Sequence, residues 1–490
     1  MAASFLFYDL ETFGKDPRTT RIAQFAAIRT DADLNEIDAP ISMYVQPADD
    51  LLPSPGATLV TGITPQQALR DGISEAAAFA LINDEMARPE TCSLGYNSLR
   101  FDDEFIRFGM FRNFYDPYER EWRGGNTRWD LLDVLRMAHA LRPDGLVWPR
   151  NEKGDPSFKL EHLAVANGVR EGDAHEALSD VRALIGLARK LKAAQPRLWE
   201  YALRLRDKRF VASLVDVAGM TPLLHVSQRY PASRLCAAPV LPIARHPRID
   251  NRIIVFDLTQ DPKGLLERDV DEIAATLYLR ADQLSEGQER VALKELHLNR
   301  CPSLMAWKHL RQADFERLDI RPDEVATRAQ QLQALGPELA EKVRCIFAKE
   351  EARAPADADA VLYDGFLGDG DKRLFQEVRT TSPDVLGRRQ IAFRDARLPE
   401  LLFRYRARNW PDSLSADERR RWDDYRRRRL RGAEGLSEYT FDSLRRELAE
   451  LRAREDLDAH RRELLDAVEA WANQLDATLT DARDTVTPTP

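Results

Sequence analysis

An apolar run near the start of the chain ends in two carboxylates, in the stretch Ser4-Phe5-Leu6-Phe7-Tyr8-Asp9-Leu10-Glu11-Thr12. The run has the composition of a buried β-strand, and residues two apart in a strand lie on the same face. Asp9 and Glu11 therefore point in the same direction, which is unfavourable for two like charges unless a cation neutralises them. Since most such pairs are solvated strand ends, this pair alone does not indicate a function.

Two later segments hold acidic residues at the starts of predicted helices. Tyr96-Asn97 precedes Phe101-Asp102, where a strand passes into a helix and an acidic residue often only complements the helix dipole. His175 comes five residues before Asp180 in the first turns of a long helix, and by itself such a histidine is more often structural than catalytic. Taken alone, neither segment indicates a function.

The ordered set of Asp-x-Glu-Thr, Tyr-Asn-x3-Phe-Asp and His-x4-Asp resembles the DEDDh exonucleases, which have a ribonuclease H-like fold. In that family the four acids hold two divalent metal ions and the histidine is the general base. The resemblance implies that Asp9, Glu11, Asp102 and Asp180 are metal ligands, and that His175 takes a proton from the attacking water. Carboxylate ligands suit Mg²⁺, with Mn²⁺ as the alternative.

Further segments are similar to bacterial exonuclease I, and the likeness covers essentially the full length, more thinly in the middle. They are Phe25-Ala26-Ala27-Ile28-Arg29-Thr30, Ile63-Thr64-Pro65-Gln66, Arg112-Asn113-Phe114-Tyr115-Asp116-Pro117-Tyr118, Arg128-Trp129-Asp130-Leu131-Leu132-Asp133 and Tyr405-Arg406-Ala407-Arg408-Asn409. This likeness implies a clamp-like monomer of three domains that degrades single-stranded DNA processively from the 3′ end. Glu11, Thr12 and Lys159 are then the expected substrate contacts. Lys159 stands where the family has arginine, so we expect a weaker grip on phosphate.

Composition is consistent with a globular protein of two to four domains, since the chain has 490 residues of which 43% are hydrophobic and 31% charged. No apolar run is long enough to span a bilayer, and no signal sequence precedes the first strand, which predicts a cytoplasmic protein without a membrane partner.

The four cysteines form no CxxC pair and are expected to be reduced. A net charge of −9 disfavours tight nonspecific binding to duplex DNA but allows a local basic groove.

The order of apolar and helical patterns predicts an α/β exonuclease domain of the ribonuclease H-like type over residues 1–195. Strands are predicted over 4–10, 22–29, 41–46 and 92–96, and helices over 101–111, 129–141, 160–167 and about 175–194. Residues 196–349 predict a small β-barrel-like domain with helical insertions, with strands over 211–217, 223–226, 253–258 and 291–298. Residues 350–484 predict a helical domain, and residues 485–490 a disordered tail.

A groove for single-stranded nucleic acid needs cations interleaved with aromatic faces. Residues 107–122 have this pattern, and we predict contacts from Arg107, Tyr118 and Trp122, extended by Arg136 and Lys208. The alternative is that about half of these aromatic residues belong to the core. Residues 404–431 hold eleven arginines against five acids, which fits either a solvated helical face or a DNA-facing arm.

The resemblance also implies a protein partner. Exonuclease I enzymes dock the acidic C-terminal tail of single-stranded DNA-binding protein, which needs cations for its carboxylates and an apolar slot for its terminal Phe. Arg142, Tyr201 and Arg311 are the expected contacts by register with the family. Alternatively, Arg142 merely ends a helix, where a basic residue favours the dipole, and Tyr201 belongs to the core.

Two other functions share the motif. An RNA-directed relative has the same acid set, although the residues after Pro196 argue against a minimal oligoribonuclease. A nuclease-dead scaffold that binds nucleic acid is the second, and the presence of all four acids and the histidine argues against it. The choice between DNA and RNA stays open at the level of these residues.

Overall fold

A computed structural model describes residues 3–172, 176–348, 357–432, 435–455 and 457–479. The described strands are β1 (Ser4–Thr12), β2 (Ile22–Thr30), β3 (Ile41–Tyr44), β4 (Thr91–Gly95), β5 (Thr127–Asp130), β6 (Leu223–Val226), β7 (Ala237–Arg245), β8 (Arg252–Asp257), β9 (Leu293–His297) and β10 (Ser303–Ala306). In this described part no helix is long and apolar enough to cross a membrane. The predicted tail at 485–490 lies outside the described residues.

The helices of the amino-terminal half are α1 (Pro55–Thr61), α2 (Pro65–Asp71), α3 (Glu75–Met86), α4 (Asp102–Arg112), α5 (Leu131–Leu141), α6 (Leu160–Ala166), α7 (Ala177–Ala194), α8 (Pro196–Arg204) and α9 (Lys208–Leu214). Those that follow are α10 (Lys263–Glu267), α11 (Val270–Thr276), α12 (Gln312–Arg317), α13 (Pro322–Gln333), α14 (Gly336–Ala348), α15 (Asp369–Thr380), α16 (Pro383–Leu386), α17 (Leu398–Asn409), α18 (Ala416–Arg431), α19 (Phe441–Arg452) and α20 (Ala459–Thr478). They form two compact units, Met1–Thr127 with Glu171–Arg182 and Ala354–Pro490, and Arg128–Arg170 with Ala183–Arg353.

The first sheet has the strand order β3-β2-β1-β4-β5, with β1 antiparallel to β2 and parallel to β4. Side chains on both faces of β1 are buried, as expected for a central strand. The strand continues two residues beyond its predicted end because the ladder with β2 pairs Glu11 with Gln24 before the register shifts at Thr12. Asp9 and Glu11 thus lie within a rigid central strand.

Helices α3 and α4 cover one face of this sheet. Tyr8, Phe25, Phe79 and Phe105 share its core. Gly109 of α4 packs directly on the ring of Phe79, because a Cβ at this position would lie 1.8 Å from a ring carbon. Only glycine fits this close approach, which fixes α4 and therefore the position of its first residue, Asp102.

The second sheet has the order β10-β6-β7-β8-β9 and is antiparallel throughout. The predicted strands at 223–226, 253–258 and 291–298 correspond to β6, β8 and β9. The prediction of a strand at 211–217 is wrong, because helix α9 extends to Leu214. The Asp207 side chain caps the start of this helix by accepting a hydrogen bond from the backbone N–H of Arg209. Pro242 lies inside β7, at a register shift where a missing N–H is tolerated.

The arginine-rich segment 404–431 has buried and exposed parts, so the predicted solvated face describes only some of it: Arg420 and Arg421 are exposed on α18, whereas other arginines are buried in ion pairs. The Arg408 guanidinium lies 2.8 Å from Asp50 and Arg404 lies 3.1 Å from Asp359, with all four side chains buried in the first unit. Burial alone raises the pKa of the Asp359 carboxyl, but Arg408 and Arg404 outweigh it and hold that pKa well below its usual range. Much of the positive charge is therefore used to join helix α17 to residues near the amino terminus.

All four cysteines are free thiols, as expected from their spacing.

Candidate active site

Strand β1 and helix α7 bring three carboxylates together. One oxygen from each of Asp9, Glu11 and Asp180 lies within 4.8 Å of the other two. Asp180 is in the first turn of α7, and both it and Glu11 are buried, whereas Asp9 is partly exposed. Asp102, the fourth predicted acid, is buried at the first position of α4.

The electrostatics of this cluster favour a bound cation. Burial, reinforced by the charge of Asp102, holds the pKa of Asp9 well above its usual range. Burial and the charge of Asp180 likewise raise the pKa of Glu11 to about 8. Because burial and mutual repulsion both disfavour the charged carboxylates, a bound cation would displace protons and relieve the repulsion. The donors are all hard carboxylate oxygens, so the residues fit Mg²⁺ or Mn²⁺.

A buried hydrogen-bonded group, which the sequence reasoning missed, supports the cluster. The Tyr8 hydroxyl donates to Asp103 Oδ1 at 2.6 Å, and Arg120 Nη2 donates to the same oxygen at 2.7 Å. Tyr8 precedes Asp9 in β1 and Asp103 follows Asp102 in α4, so this group ties together the two backbones that carry the acids. The second aspartate of Phe101-Asp102-Asp103 was the available signal.

Glu176 is a second residue that the sequence reasoning missed. Its carboxylate accepts from the backbone N–H of Ser179 at 2.7 Å and of Leu178 at 3.3 Å, which satisfies the first turn of α7. Its charge also contributes to the raised pKa of Glu11. His175, the predicted general base, lies outside the described residues.

The predicted substrate contacts differ in their surroundings. Thr12 is buried directly after Glu11, and its hydroxyl donates to the backbone carbonyl of Gly14 at 2.7 Å. Lys159 belongs to the second unit, where it precedes α6 with an exposed ammonium 3.0 Å from Glu161. Part of its charge is therefore neutralised within its own unit.

The predicted groove residues of the first unit separate into buried and exposed ones. Arg107 is buried and makes bidentate bonds to Glu121 at 2.7 and 3.0 Å, so its charge is not available to DNA and that prediction is revised. Trp122 is 65% exposed. Tyr118 is half-buried, and its ring centroid lies 6.1 Å from that of Phe366, which is 90% exposed and was not predicted.

The two groove residues of the second unit also differ. Arg136 is buried, donates to Asp133 at 2.9 Å and lies 5.7 Å from the ring centroid of Phe158. Its expected role as a DNA contact is therefore revised to a structural one. Lys208, the first residue of α9, is exposed.

Two of the three predicted partner contacts meet in the second unit. Arg142 and Arg311 both donate to Asp314 Oδ1, at 2.8 and 2.9 Å. Two guanidinium groups against one carboxylate leave an excess of positive charge. Tyr201 is half-buried and donates its hydroxyl proton to the backbone carbonyl of Leu304 at 2.9 Å.

Three family models match the chain in sequence. They are Exonuclease over residues 6–188, Exonuclease I SH3-like domain over 206–349, and Exonuclease I C-terminal domain over 356–475. The first contains the carboxylate cluster and the second contains the antiparallel sheet. The third contains helices α15 to α19 and most of α20.

Individual relatives agree along nearly the whole chain. Exodeoxyribonuclease I of Escherichia coli (strain K12) is 46% identical over 426 residues, which is 87% of this chain and 89% of that protein. A crystal structure of E. coli exonuclease I in complex with a dA16 oligonucleotide has a TM-score of 0.91 at 43% identity and covers 96% of this chain and 100% of that one. A structure named as SSB/exonuclease I in complex with an inhibitor has a TM-score of 0.88 at 42% identity, with 97% and 100% covered. This chain therefore belongs to the exonuclease I family and is a 3′→5′ exonuclease, a phosphodiester hydrolase.

Proposed function

We propose that the protein removes 5′-mononucleotides from the 3′ end of single-stranded DNA, as a monomer that serves DNA repair or recombination. The observation that carries the proposal is the cluster of Asp9, Glu11 and Asp180 within 4.8 Å. The relative that holds a dA16 oligonucleotide supports single-stranded DNA as the substrate. The limits of the family models support a division into an exonuclease domain (1–195), a β domain (196–349) and a helical domain (350–484).

Asp9, Glu11, Asp102 and Asp180 would hold two Mg²⁺ ions. When bound, such ions stabilise negative charge on the attacking and leaving oxygens. His175 accepts a proton from the water whose oxygen attacks the terminal phosphorus. The 3′ oxygen of the shortened strand leaves and takes a proton from solvent, and a 5′-mononucleotide is released. Thr12 and Lys159 would position the terminal nucleotide and its phosphate.

A digestion series tests this proposal. Single-stranded DNA, blunt duplex DNA and RNA, each labelled at the 5′ end, are incubated with the protein with and without Mg²⁺. We expect a ladder that shortens from the 3′ end on single-stranded DNA with Mg²⁺, and no cleavage with EDTA. RNA degraded as fast as DNA would instead support the RNA-directed function.

Exposed aromatic residues predict a preference for unpaired strands. Trp122→Ala should weaken binding of single-stranded DNA by about 1–3 kcal/mol, because a base stacked on its ring loses that contact. Fluorescence anisotropy of a labelled oligonucleotide without metal measures the change. Tyr278→Ala is the control, since Tyr278 is 66% exposed, like Trp122, but outside the proposed groove. Equal rates of degradation of duplex and single-stranded DNA would contradict the proposal that this groove binds unpaired bases.

We also propose that the acidic C-terminal tail of single-stranded DNA-binding protein docks at Arg142, Tyr201 and Arg311. The excess positive charge around Asp314 supports this assignment, and so does the relative named as SSB/exonuclease I. A tail peptide should bind more weakly as salt rises, and Arg142→Ala should lower its affinity without loss of cleavage on bare DNA. Arg245→Ala, an exposed arginine at the end of β7, is the control. A peptide affinity that changes neither with salt concentration nor with the Arg142→Ala substitution would show that the tail binds elsewhere.

A further inference from the structure

One peptide unit in the loop between β1 and β2 is held at both ends by side chains. The Thr12 hydroxyl donates to the Gly14 carbonyl at 2.7 Å. The N–H of the same peptide unit belongs to Lys15 and donates to Glu438 Oε2 at 3.1 Å. A peptide unit is planar, so its carbonyl and its N–H turn together. Glu438 therefore restrains the orientation of the carbonyl that accepts from Thr12.

The approach of Glu438 to this peptide unit requires glycine at position 14. A Cβ on Gly14 would lie 2.2 Å from Glu438 Oε2 and 3.2 Å from the methyl carbon of Thr20. Any side chain at position 14 would therefore push the carboxylate away from the Lys15 N–H. The loop and the carboxylate fit each other closely, although Lys15 and Glu438 are 423 positions apart in the chain.

The segment that carries Glu438 is anchored on the same loop by an arginine. Arg429 Nη2 donates to the Thr19 carbonyl at 2.6 Å, and Arg429 Nη1 donates to the Leu436 carbonyl at 2.5 Å. One buried guanidinium group thus joins the loop to the residues just before Glu438. The carboxylate consequently reaches the loop from a fixed point.

The surroundings of the Glu438 carboxyl disfavour its charge. The side chain is half-buried, and burial raises its pKa, with a further contribution from the charge of Asp16. The hydrogen bond from the Lys15 N–H acts in the opposite direction and stabilises the carboxylate. This bond therefore satisfies an oxygen that would otherwise be costly to bury.

We propose that Glu438 is a positioning residue for the 3′-terminal nucleotide of the substrate, acting through the peptide unit after Gly14 on the Thr12 hydroxyl. This role rests on the proposed function, in which Thr12 positions that nucleotide. With its proton directed to the Gly14 carbonyl, the Thr12 hydroxyl presents its oxygen as a hydrogen-bond acceptor. Without Glu438 the peptide unit can rotate, and the hydroxyl loses this orientation.

Steady-state kinetics of the full chain test this role. Glu438→Ala should raise the KM for a short single-stranded oligonucleotide about threefold to tenfold, the value of one hydrogen bond, with little change in kcat at saturating Mg²⁺. Glu438→Gln keeps an acceptor oxygen for the Lys15 N–H and should recover most of this loss. Glu463→Ala, at an exposed position of α20, is the control and should keep the wild-type KM.

A double-mutant cycle with Thr12→Val distinguishes positioning from a general effect on folding. In the Thr12→Val background, Glu438→Ala should not raise the KM further, because the hydroxyl that it positions is absent. Additive effects, or a wild-type KM for Glu438→Ala, would overturn the role of Glu438 while the digestion series still supported the proposed function. A wild-type KM for Thr12→Val would overturn both the role of Glu438 and the contact proposed for Thr12.

Discussion

Asp180→Asn is expected to abolish cleavage of single-stranded DNA while leaving folding and DNA binding largely intact. The substitution keeps the size of the side chain but removes one of three carboxylates whose oxygens lie within 4.8 Å of each other. The remaining acids cannot hold two divalent cations with the same charge balance, so stabilisation of the attacking and leaving oxygens is lost. Single-turnover cleavage of a 5′-labelled oligonucleotide with saturating Mg²⁺ measures the effect.

A matched control separates the site from general effects of charge. Asp442→Asn makes the same substitution at an exposed position of α19 and should leave the rate unchanged. Binding of Mn²⁺, followed by electron paramagnetic resonance, should be weakened in Asp180→Asn and normal in the control. Near wild-type cleavage by Asp180→Asn would remove Asp180 from the metal site.

The strand was predictable because it follows from a local pattern, and the alternation of β1 put Asp9 and Glu11 on one face. Asp180 was joined to them by the resemblance of the ordered motifs to the DEDDh exonucleases, and the structure brings the three carboxylates together. The two residues that continue β1 were missed because they depend on pairing with β2, which is not a local property.

Charged residues were harder to assign because their partners are distant in the chain. Arg408 is paired with Asp50, 358 positions away, and nothing near Arg408 in sequence indicates that its charge is neutralised. Arg107 similarly depends on Glu121, which lies beyond the end of its helix. A dense basic segment predicts a binding surface only if its cations lack such partners. Which of these arginines are paired becomes known only from the structure.

The positioning residues Tyr8 and Asp103 were missed for a different reason. Each lies beside a residue of the acid motif, and from the sequence Tyr8 resembles any apolar residue of a buried strand. Its hydroxyl bond to Asp103 exists only because β1 and α4 meet at the cluster. Buried polar groups of this kind need their hydrogen-bond partners, so they become identifiable once the packing is known.

His175→Ala is expected to lower the rate of cleavage roughly 10²–10⁴-fold, the usual contribution of a general base, with little change in DNA affinity. His175 lies outside the described residues, so this expectation rests on its place in the His-x4-Asp motif. His460→Ala, an exposed histidine of α20, is the control and should be unaffected.

Protonation of His175 and protonation of the carboxylates both lower the rate in acid. The dependence of the pH profile on Mg²⁺ concentration distinguishes the two contributions. Protons on Asp9 and Glu11, whose pKa values are raised in the absence of metal, compete with Mg²⁺, so a higher Mg²⁺ concentration should reverse their part of the loss. A protonated imidazole cannot accept a proton from water at any Mg²⁺ concentration, so the part of the loss due to His175 should persist when the Mg²⁺ concentration is raised. His175→Ala should lack that persistent acid limb when rates are measured at saturating Mg²⁺. A mutant that keeps the wild-type rate and the same acid limb would exclude His175 as the base.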